Sequence, residues 1–245
     1  MSEADLNVLK SAIKLVESKV SRDFNEIRNL QNSSSVNGFV NKAVNYVQNT
    51  LFEYLKGKRP TYSIYVKNGD DKIEKNSKFS IYVNAIMGMK NLSHGIPYFC
   101  TTLSVAENGK IFTGLVNNYV ENEMFFVSRG SGAFVNNQKM RVSSRTDIGD
   151  LLIAVKSDTE RTMLKRILPK LPMFKMNNCS VLDACYTSCG RYDANIVLDG
   201  NIKDVELSKL FIEESGGLAY NITDTSLIFS NGNVVDKLKL MFEQK

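Results

Sequence analysis

The sequence predicts a mixed α/β protein, α+β in its N-terminal half, and three observations lead to this fold class. Two helical patterns of apolar residues precede residue 57, strand patterns fill residues 98–134, and short strands alternate with helices after Asp150. A chain of 245 residues can form one large domain or two small ones. We therefore expect a helix pair with an antiparallel sheet over residues 1–150 and an α/β subdomain over residues 151–245.

The two N-terminal helices are predicted from the spacing of their apolar residues. In residues 4–24 such residues recur at steps of three and four, which is typical of an amphipathic helix: Leu6, Leu9, Ile13, Val16 and Val20. The polar stretch 32–38 predicts a loop. A second helix is expected over residues 40–55, because Gly57 follows as a stop signal.

Strands are predicted where aromatic and β-branched residues cluster between turn signals. They are expected at residues 62–66, 79–83, 99–106, 111–118 and 123–128. Asn108-Gly109 is typical of a hairpin turn, so we expect the last three strands to form an antiparallel meander.

The alternation after Asp150 predicts the elements of the second half. Strands are expected at residues 151–155 and 194–198, and helices at residues 159–168, 182–190, 205–214 and 234–243.

Composition narrows the class of protein. The chain is 43% hydrophobic and 23% charged, as in ordinary globular proteins. No segment approaches the ~18 apolar residues of a membrane span, and residues 1–7 lack the pattern of a secretory signal, so we expect a cytoplasmic location. The net charge of +5 allows weak attraction to anions or nucleic acid without requiring it.

Cysteine and histidine usage disfavours two kinds of site. The four cysteines are expected to be reduced thiols. Cys185 and Cys189 would share a helix face, but a structural zinc site needs two further ligands, and the single histidine, His94, lies far away in sequence. That single histidine also disfavours a Ser-His-Asp or Cys-His mechanism.

The most informative stretch is residues 80–97, in which an apolar strand leads to Asn84-Ala85-Ile86-Met87-Gly88-Met89-Lys90-Asn91 and then His94-Gly95-Ile96-Pro97. It resembles the motif of the inositol monophosphatase family, an apolar strand followed by Asp-Pro-Leu/Ile-Asp-Gly-Thr-Thr-Asn-Phe and then His-Gly-Ile/Phe-Pro. The glycine, asparagine, histidine, glycine and proline of that motif are present at the right spacing, whereas both aspartates and both threonines are replaced.

Three further motifs extend the resemblance over nearly the whole chain. Residues 130–138, Gly-Ser-Gly-Ala-Phe-Val-Asn-Asn-Gln, are similar to the family's Gly-x-Gly-Ala-Phe-x-Asn-Gly-x turn. Residues 190–193, Gly-Arg-Tyr-Asp, are similar to its Gly-Arg-Phe-Asp, and residues 213–217 resemble its Glu-Ala-Gly-Gly. The resemblance implies the layered α-β-α-β-α sandwich of the inositol monophosphatase and sugar phosphatase superfamily, and a homodimer.

The resemblance also implies which positions would form an active site for Mg²⁺-dependent hydrolysis of an inositol phosphate. These positions are Val44, Lys67, Asn68, Asn84, Met87, Gly88, Met89, Lys90, Val197 and Asp204. The family has carboxylates at six of the positions where this chain has Val44, Lys67, Asn68, Asn84, Met87 and Val197. Among its carboxylate positions only Asp204 keeps an acid. We therefore expect no catalytic residues, no metal site and no cofactor, although the family would use Mg²⁺.

Two expectations concern the charges at these positions. Lys67, Lys90 and Lys203 could together form an anion-binding pocket, or each could be solvated or paired with an acid. Asp204 is expected to form an ion pair with one of these lysines, Lys67 first, or to take part in hydrogen bonds at a helix start as an N-cap.

The functional hypothesis is a family member that has lost Mg²⁺-dependent phosphate monoester hydrolysis and acts by binding a macromolecular partner. Some bacterial members of this family bind transcription machinery, so a partner of that kind is the expectation by analogy. Two alternatives stay open. The chain could be a weak inositol or sugar phosphate phosphatase, or it could bind a phosphorylated small molecule without hydrolysing it.

Overall fold

The structure is a computed structural model that describes residues 2–31, 35–157 and 159–243. The chain forms two compact units, Met1–Ser128 and Arg129–Lys245. Residue 150, where the sequence texture changes, lies inside the second unit. No helix in the described ranges is long and apolar enough to cross a membrane.

Two long helices, five strands and one short helix make up the described residues of the first unit. They are α1 (Ser2–Asn29), α2 (Val36–Lys58), β1 (Ser63–Val66), β2 (Phe79–Met87), α3 (Met89–Ser93), β3 (Cys100–Glu107), β4 (Lys110–Asn118) and β5 (Glu123–Ser128). The two predicted helices and the strand meander are confirmed. The predicted loop over residues 32–38 is shorter than expected, because α2 already begins at Val36; residues 32–34 lie outside the described residues.

The five strands of this unit pair in chain order. β1 runs parallel to β2, and β2, β3, β4 and β5 pair antiparallel. The register places Ile81 beside Val105 and Val83 beside Leu103. Because side chains alternate between the faces of a strand, these four apolar residues share one face. They belong to the same buried cluster as the apolar stripes of α1 and α2. Burial of these stripes stabilises the two long helices.

A buried ion pair joins the start of α1 to the end of α2. The Arg59 Nε donates to the Asp5 Oδ1 at 2.7 Å, and the Tyr62 hydroxyl lies 3.3 Å from the same oxygen. The Arg59 Nη2 also donates to the carbonyl of Ala4. Burial, with the Asp5 carboxylate as the second cause, raises the pKa of Tyr62, so its hydroxyl keeps its proton and donates.

A second buried polar chain crosses the sheet of this unit. The Tyr119 hydroxyl donates to the Thr101 Oγ1 at 2.7 Å, and the Thr101 hydroxyl donates to the carbonyl of Ala85. Burial raises the pKa of Tyr119. Each buried hydroxyl therefore has a partner, as an apolar interior requires.

In the second unit, the part of the chain that the structure describes contains seven strands and four α-helices. They are β6 (Gly132–Val135), β7 (Gln138–Lys139), β8 (Leu152–Lys156), α4 (Arg161–Ile167), β9 (Met173–Lys175), α5 (Ser180–Ser188), β10 (Ala194–Val197), α6 (Ile202–Glu214), β11 (Leu218–Asn221), β12 (Leu227–Ser230) and α7 (Gly232–Glu243). Two short 3-10 turns, Ile148–Asp150 and Leu168–Lys170, flank β8 and α4. The predicted alternation is confirmed; β6, β7, β9, β11 and β12 were not predicted as strands.

Five of these strands form a mixed sheet in the order β11-β12-β10-β8-β9. β8, β9 and β10 are parallel, whereas β12 pairs antiparallel with both of its neighbours. Two cations lie at the C-terminal end of α7, where Arg166 donates to the carbonyl of Phe242 and Lys170 to that of Met241. A helix C-terminus favours such cations, because its last carbonyls have no partner within the helix.

We predict that Arg59→Met lowers the free energy of unfolding by about 3 kcal/mol, because it leaves the buried Asp5 carboxylate without its cation. Urea unfolding measures the change. Arg22→Met is the matched control, since the Arg22 side chain is 71% exposed and lies 4.0 Å from Asp23; its effect should stay below about 0.5 kcal/mol. Equal effects of the two substitutions would show that the Asp5 pair has no special role in stability.

Candidate functional site

The motif of residues 84–97 turns at Gly88, between the end of β2 and the start of α3. Gly88 has a φ of +80°, and a Cβ built on it would lie 2.8 Å from the carbonyl oxygen of Tyr98. A side chain would thus be strained in the left-handed region and would also overlap the backbone. The position needs glycine for reasons of shape, independently of any catalysis.

The Asn91 side chain holds the same loop from within. Its Nδ2 donates to the carbonyl of Tyr98 at 2.7 Å, and the backbone carbonyl of Asn91 accepts from the Ile96 N–H at 2.8 Å. Gln31, just after α1, donates to the carbonyls of Ile27 and Ser93, and so ties α3 to the helix pair. No sequence pattern indicates this role of Gln31, which lies in a polar stretch far from the motif.

Asn84 and Met87 stand where the resemblance places two metal-binding aspartates, and the structure brings these two side chains together. Asn84 is buried in β2 opposite Thr102, and the register of β2 with β3 shifts between Asn84 and Met87. The Asn84 Nδ2 points at the Met87 sulfur. A thioether is a weak acceptor and a soft ligand, so this pair presents little to a hard cation.

Lys67 and Asn68 align with the family's glutamate pair and form the turn after β1. The Lys67 N–H donates to the carbonyl of Val83, and Asn68 has a φ of +62°. Asp71 closes the turn, because its Oδ1 accepts from the Val66 N–H at 2.8 Å. Both aligned side chains are exposed, so this turn places an ammonium group and an amide where the family has acids.

The remaining aligned positions of the first unit, Val44, Met89 and Lys90, lie in different environments. Val44 lies on α2 and lines a small apolar cavity together with Ile86 and Leu92. Its side chain therefore belongs to the packing between the helices and the sheet. Met89 and Lys90 form the start of α3 and are exposed, and neither carries a hydroxyl that could orient a water molecule.

In the second unit, Val197 is buried in β10 and Asp204 lies in the first turn of α6. The expectation that Asp204 is the N-cap is wrong. The cap is Asn201, whose Oδ1 accepts from the amides of Lys203 and Asp204. In the sequence, Asn201 after Gly200 is the signal for this cap, because asparagine is among the preferred N-cap residues. A carboxylate in a first helical turn is favoured by the helix dipole, so Asp204 stabilises α6 where it stands.

The three lysines proposed as an anion pocket have different environments. Lys203 forms an ion pair with Glu206, with 2.8 Å between Nζ and Oε2, whereas Lys67 and Lys90 are exposed. A pocket made by all three, and an ion pair between Asp204 and Lys67, stay predictions.

Two acids in the matching motifs of the second unit bind backbone amides. The Glu214 carboxylate accepts from the Gly130 N–H at 2.7 Å and from the Gly132 N–H at 2.9 Å, so it joins the motif of residues 213–217 to that of residues 130–138. Charge-assisted hydrogen bonds of this kind are stronger than neutral ones. The sequence placed both motifs correctly but did not reveal that one binds the other.

Asp193, the last residue of Gly-Arg-Tyr-Asp, has a similar role. Its buried carboxylate accepts from the Leu152 N–H at 2.8 Å and from the Arg145 Nη1 at 3.0 Å. It therefore ties the start of β8 to the loop before it. These retained acids hold the fold, and their oxygens are occupied by donors of the protein itself.

Comparison with known proteins supports the resemblance that the sequence motifs indicated. The sequence profile of the inositol monophosphatase family matches residues 1–242. This chain belongs to the inositol monophosphatase family. The profile spans almost the whole length, as the four motifs predicted, and the fold class inferred from the sequence is confirmed.

Individual relatives carry two kinds of name. The chain is 26% identical to an inositol-1-monophosphatase of Mesorhizobium japonicum over 94% of this chain and 90% of the relative. It is 21% identical to a Nus factor SuhB of Pasteurella multocida over the same shares of the two chains. The extragenic suppressor protein suhB of Bartonella henselae has the same fold, with a TM-score of 0.86, 25% identity, and coverage of 98% of this chain and 100% of that one.

We predict that Gly88→Ala lowers the free energy of unfolding by about 3 kcal/mol, from left-handed strain plus overlap with the Tyr98 carbonyl. Gly109→Ala is the matched control, because Gly109 also has a φ of +80° but a Cβ there would meet nothing within 4 Å. It should cost about 1 kcal/mol from strain alone. Equal losses in chemical denaturation would contradict the steric reading of Gly88.

We predict that Glu214→Gln costs about 1–2 kcal/mol of stability, since a glutamine has one acceptor oxygen for two amide donors. Thermal and urea unfolding both report the change. Glu213→Gln provides the comparison, because Glu213 is half exposed and 3.9 Å from Arg129, and an exposed pair contributes little. A loss at Glu213 as large as that at Glu214 would argue against the motif-to-motif role.

Proposed function

We propose that this chain is a member of the inositol monophosphatase family that does not hydrolyse phosphate monoesters and acts by binding a macromolecular partner. The observation that carries the proposal is the donor set at the aligned metal positions. Met87, Lys67 and Val44 offer no oxygen ligand, and Asn84 offers an amide whose nitrogen is directed at a sulfur.

The chemistry of Mg²⁺ explains why this donor set matters. Mg²⁺ requires hard oxygen ligands in near-octahedral geometry, and Lys67 would repel it. Across the described ranges, no three His, Cys, Asp or Glu side chains come together in a group that could hold a metal ion. The residues present therefore do not fit the ion on which the family's reaction depends.

The contrast between kept and replaced acids supports the same reading. Glu214 and Asp193 bind backbone amides and so contribute to stability. At the aligned metal positions other than Asp204, neutral or cationic residues stand where the family has acids. Clustered carboxylates without a cation repel one another, so such replacements stabilise a fold that no longer binds metal.

The proposed absence of phosphate hydrolysis favours a role in binding a macromolecular partner. Among the relatives, several are named Nus factors, so transcription machinery is the proposed class of partner. The net charge of +5 is compatible with an acidic partner surface.

The alternative is a site that binds a phosphorylated small molecule through Lys67 and Lys90. The exposure of both ammonium groups favours it, and titration with inositol 1-phosphate in the absence of metal distinguishes it from partner binding. A Lys67→Met variant should then lose the binding.

We predict that inositol 1-phosphate with Mg²⁺ releases phosphate no faster with the protein than with its Asp204→Asn variant. Asp204 is the only acid at the aligned metal positions, so any hydrolysis at this site should depend on it. A phosphate-release assay measures both proteins. Mg²⁺-dependent hydrolysis that falls on Asp204→Asn would overturn the proposal and establish the weak phosphatase instead.

We also predict that neither Mg²⁺ nor a chelator shifts the melting temperature. An ion that bound the folded state would raise it by mass action. Differential scanning fluorimetry at millimolar Mg²⁺, Mn²⁺ and Ca²⁺ tests this, with Na⁺ at equal ionic strength as the control. A rise of several degrees specific to Mg²⁺ or Mn²⁺ would show a metal site.

A further inference from the structure

The first unit has a polar pocket between the second half of α2 and the segment that follows β1. We call it the α2–β1 pocket, and its wall is formed by Gln48, Asn49, Phe52, Glu53, Val66 and Asp70. Its volume is about 140 Å³, whereas a single water molecule needs only ~10–15 Å³. The pocket therefore has room for a small organic molecule.

The pocket lies on the side of the first-unit sheet that the two long helices cover. Val66 belongs to the buried cluster that includes the stripes of α1 and α2, and so does Val83 of β2. Asn84 follows Val83 in the same strand, and consecutive strand residues point to opposite faces. The α2–β1 pocket and the Asn84 side chain therefore lie on opposite faces of the sheet.

The polar side chains of the wall have unused capacity to accept hydrogen bonds. In the described part of the chain, no hydrogen bond or ion pair occupies the amides of Gln48 and Asn49 or the carboxylate of Asp70. The Glu53 carboxylate is 67% exposed and 3.8 Å from the Lys56 ammonium, a loose pair. None of the six wall residues is a Lys or Arg, so the wall carries two negative charges in a chain whose net charge is +5.

An aromatic ring forms the apolar part of the wall. Phe52 is partly buried against the core cluster, and the Lys56 ammonium lies 5.7 Å from the centroid of its ring. The face of an aromatic ring attracts a cation at such distances. The chain's own ammonium group, which contacts Phe52 and Glu53 while its side chain stays 49% exposed, thus shows which kind of group this wall attracts.

From these observations we infer that the α2–β1 pocket binds a small aliphatic diammonium ion. One ammonium group pairs with Asp70, and the other replaces Lys56 beside Glu53. The methylene groups between them cover Phe52 and Val66, and the amide oxygens at the rim accept the remaining N–H donors. This site goes beyond the proposed function and does not depend on it.

The chemistry of the wall disfavours three other occupants. Glu53 and Asp70 would repel a phosphate. A hard metal ion needs several oxygen ligands in fixed geometry, and no group of three His, Cys, Asp or Glu side chains occurs in the described ranges; such an ion would also gain nothing from Phe52. A neutral sugar would leave both carboxylates without a counter-charge.

The test titrates the full chain with 1,4-diaminobutane in a calorimeter at low salt, where surface charges are least screened. The variant E53Q/D70N should weaken binding about tenfold, as expected for the loss of two surface ion pairs, and Phe52→Leu about threefold from the loss of the ring face. The matched control E26Q/E121Q makes the same charge change at exposed acids of the first unit, and it should leave the affinity unchanged.

Two further measurements separate a specific site from general attraction to negative charge. Lys56→Met should tighten binding, because it removes the ammonium group that competes for Glu53 and Phe52. In NMR spectra of the full chain, addition of the diamine should shift the amide signals of residues 48–53 and 66–70.

Several results would overturn the inference. They are the absence of binding at millimolar diamine, an equal loss of affinity in E26Q/E121Q, weaker binding by Lys56→Met, or amide shifts confined to other residues. Displacement of the diamine by Mg²⁺, beyond that by Na⁺ at equal ionic strength, would identify a metal site instead. Binding of glucose that E53Q/D70N abolishes, without binding of the diamine, would identify a neutral polyol as the occupant.

Discussion

The left-handed turn at Gly88 is the constraint on which the candidate site depends. It ends β2 and starts α3 in a single residue, and only a glycine leaves room for the Tyr98 carbonyl that packs against it. Asn91 then fixes the same carbonyl by a hydrogen bond. Because this frame is made of backbone atoms and one amide, it does not depend on the side chains of Asn84 and Met87. The motif can therefore keep its shape while its ligands change.

The acids of the chain divide according to what neutralises them. Asp5 is matched by Arg59, Asp193 by Arg145 and a backbone amide, and Glu214 by two backbone amides. Each has a counter-charge or donors built into the fold, which offsets part of the cost of its burial. A metal-site carboxylate has no such internal partner and relies on the ion. The acids that remain here are of the first kind, with Asp204 placed in a helix turn that itself favours a negative charge.

The sequence predicted the long elements, but it predicted little of the local geometry at the aligned site positions. The stripes of α1 and α2 and the strands of the meander follow from periodicity, because each buries a continuous face. β9 is exposed and β11 is partly exposed, and each is only three or four residues long. The helix α3 has five residues and no capping side chain. These elements are too short for a periodic pattern of apolar residues to predict them. The contact of Asn84 with Met87 lies at a register shift between β2 and β3, and no residue type in the sequence predicts that shift. Asn201 and Asp204 are both capable N-caps, and the family alignment favoured the wrong one.

On the proposed function, in which the aligned positions bind no metal, a surface other than the family's active site carries the function. A catalytic site needs several groups held around one small volume, whereas a binding surface needs only accessible backbone, a few apolar side chains and a consistent charge. Gly88 shapes its turn, Glu214 and Asp193 bind backbone amides, and none of these contacts involves a metal. The family fold is therefore compatible with the proposed partner-binding role.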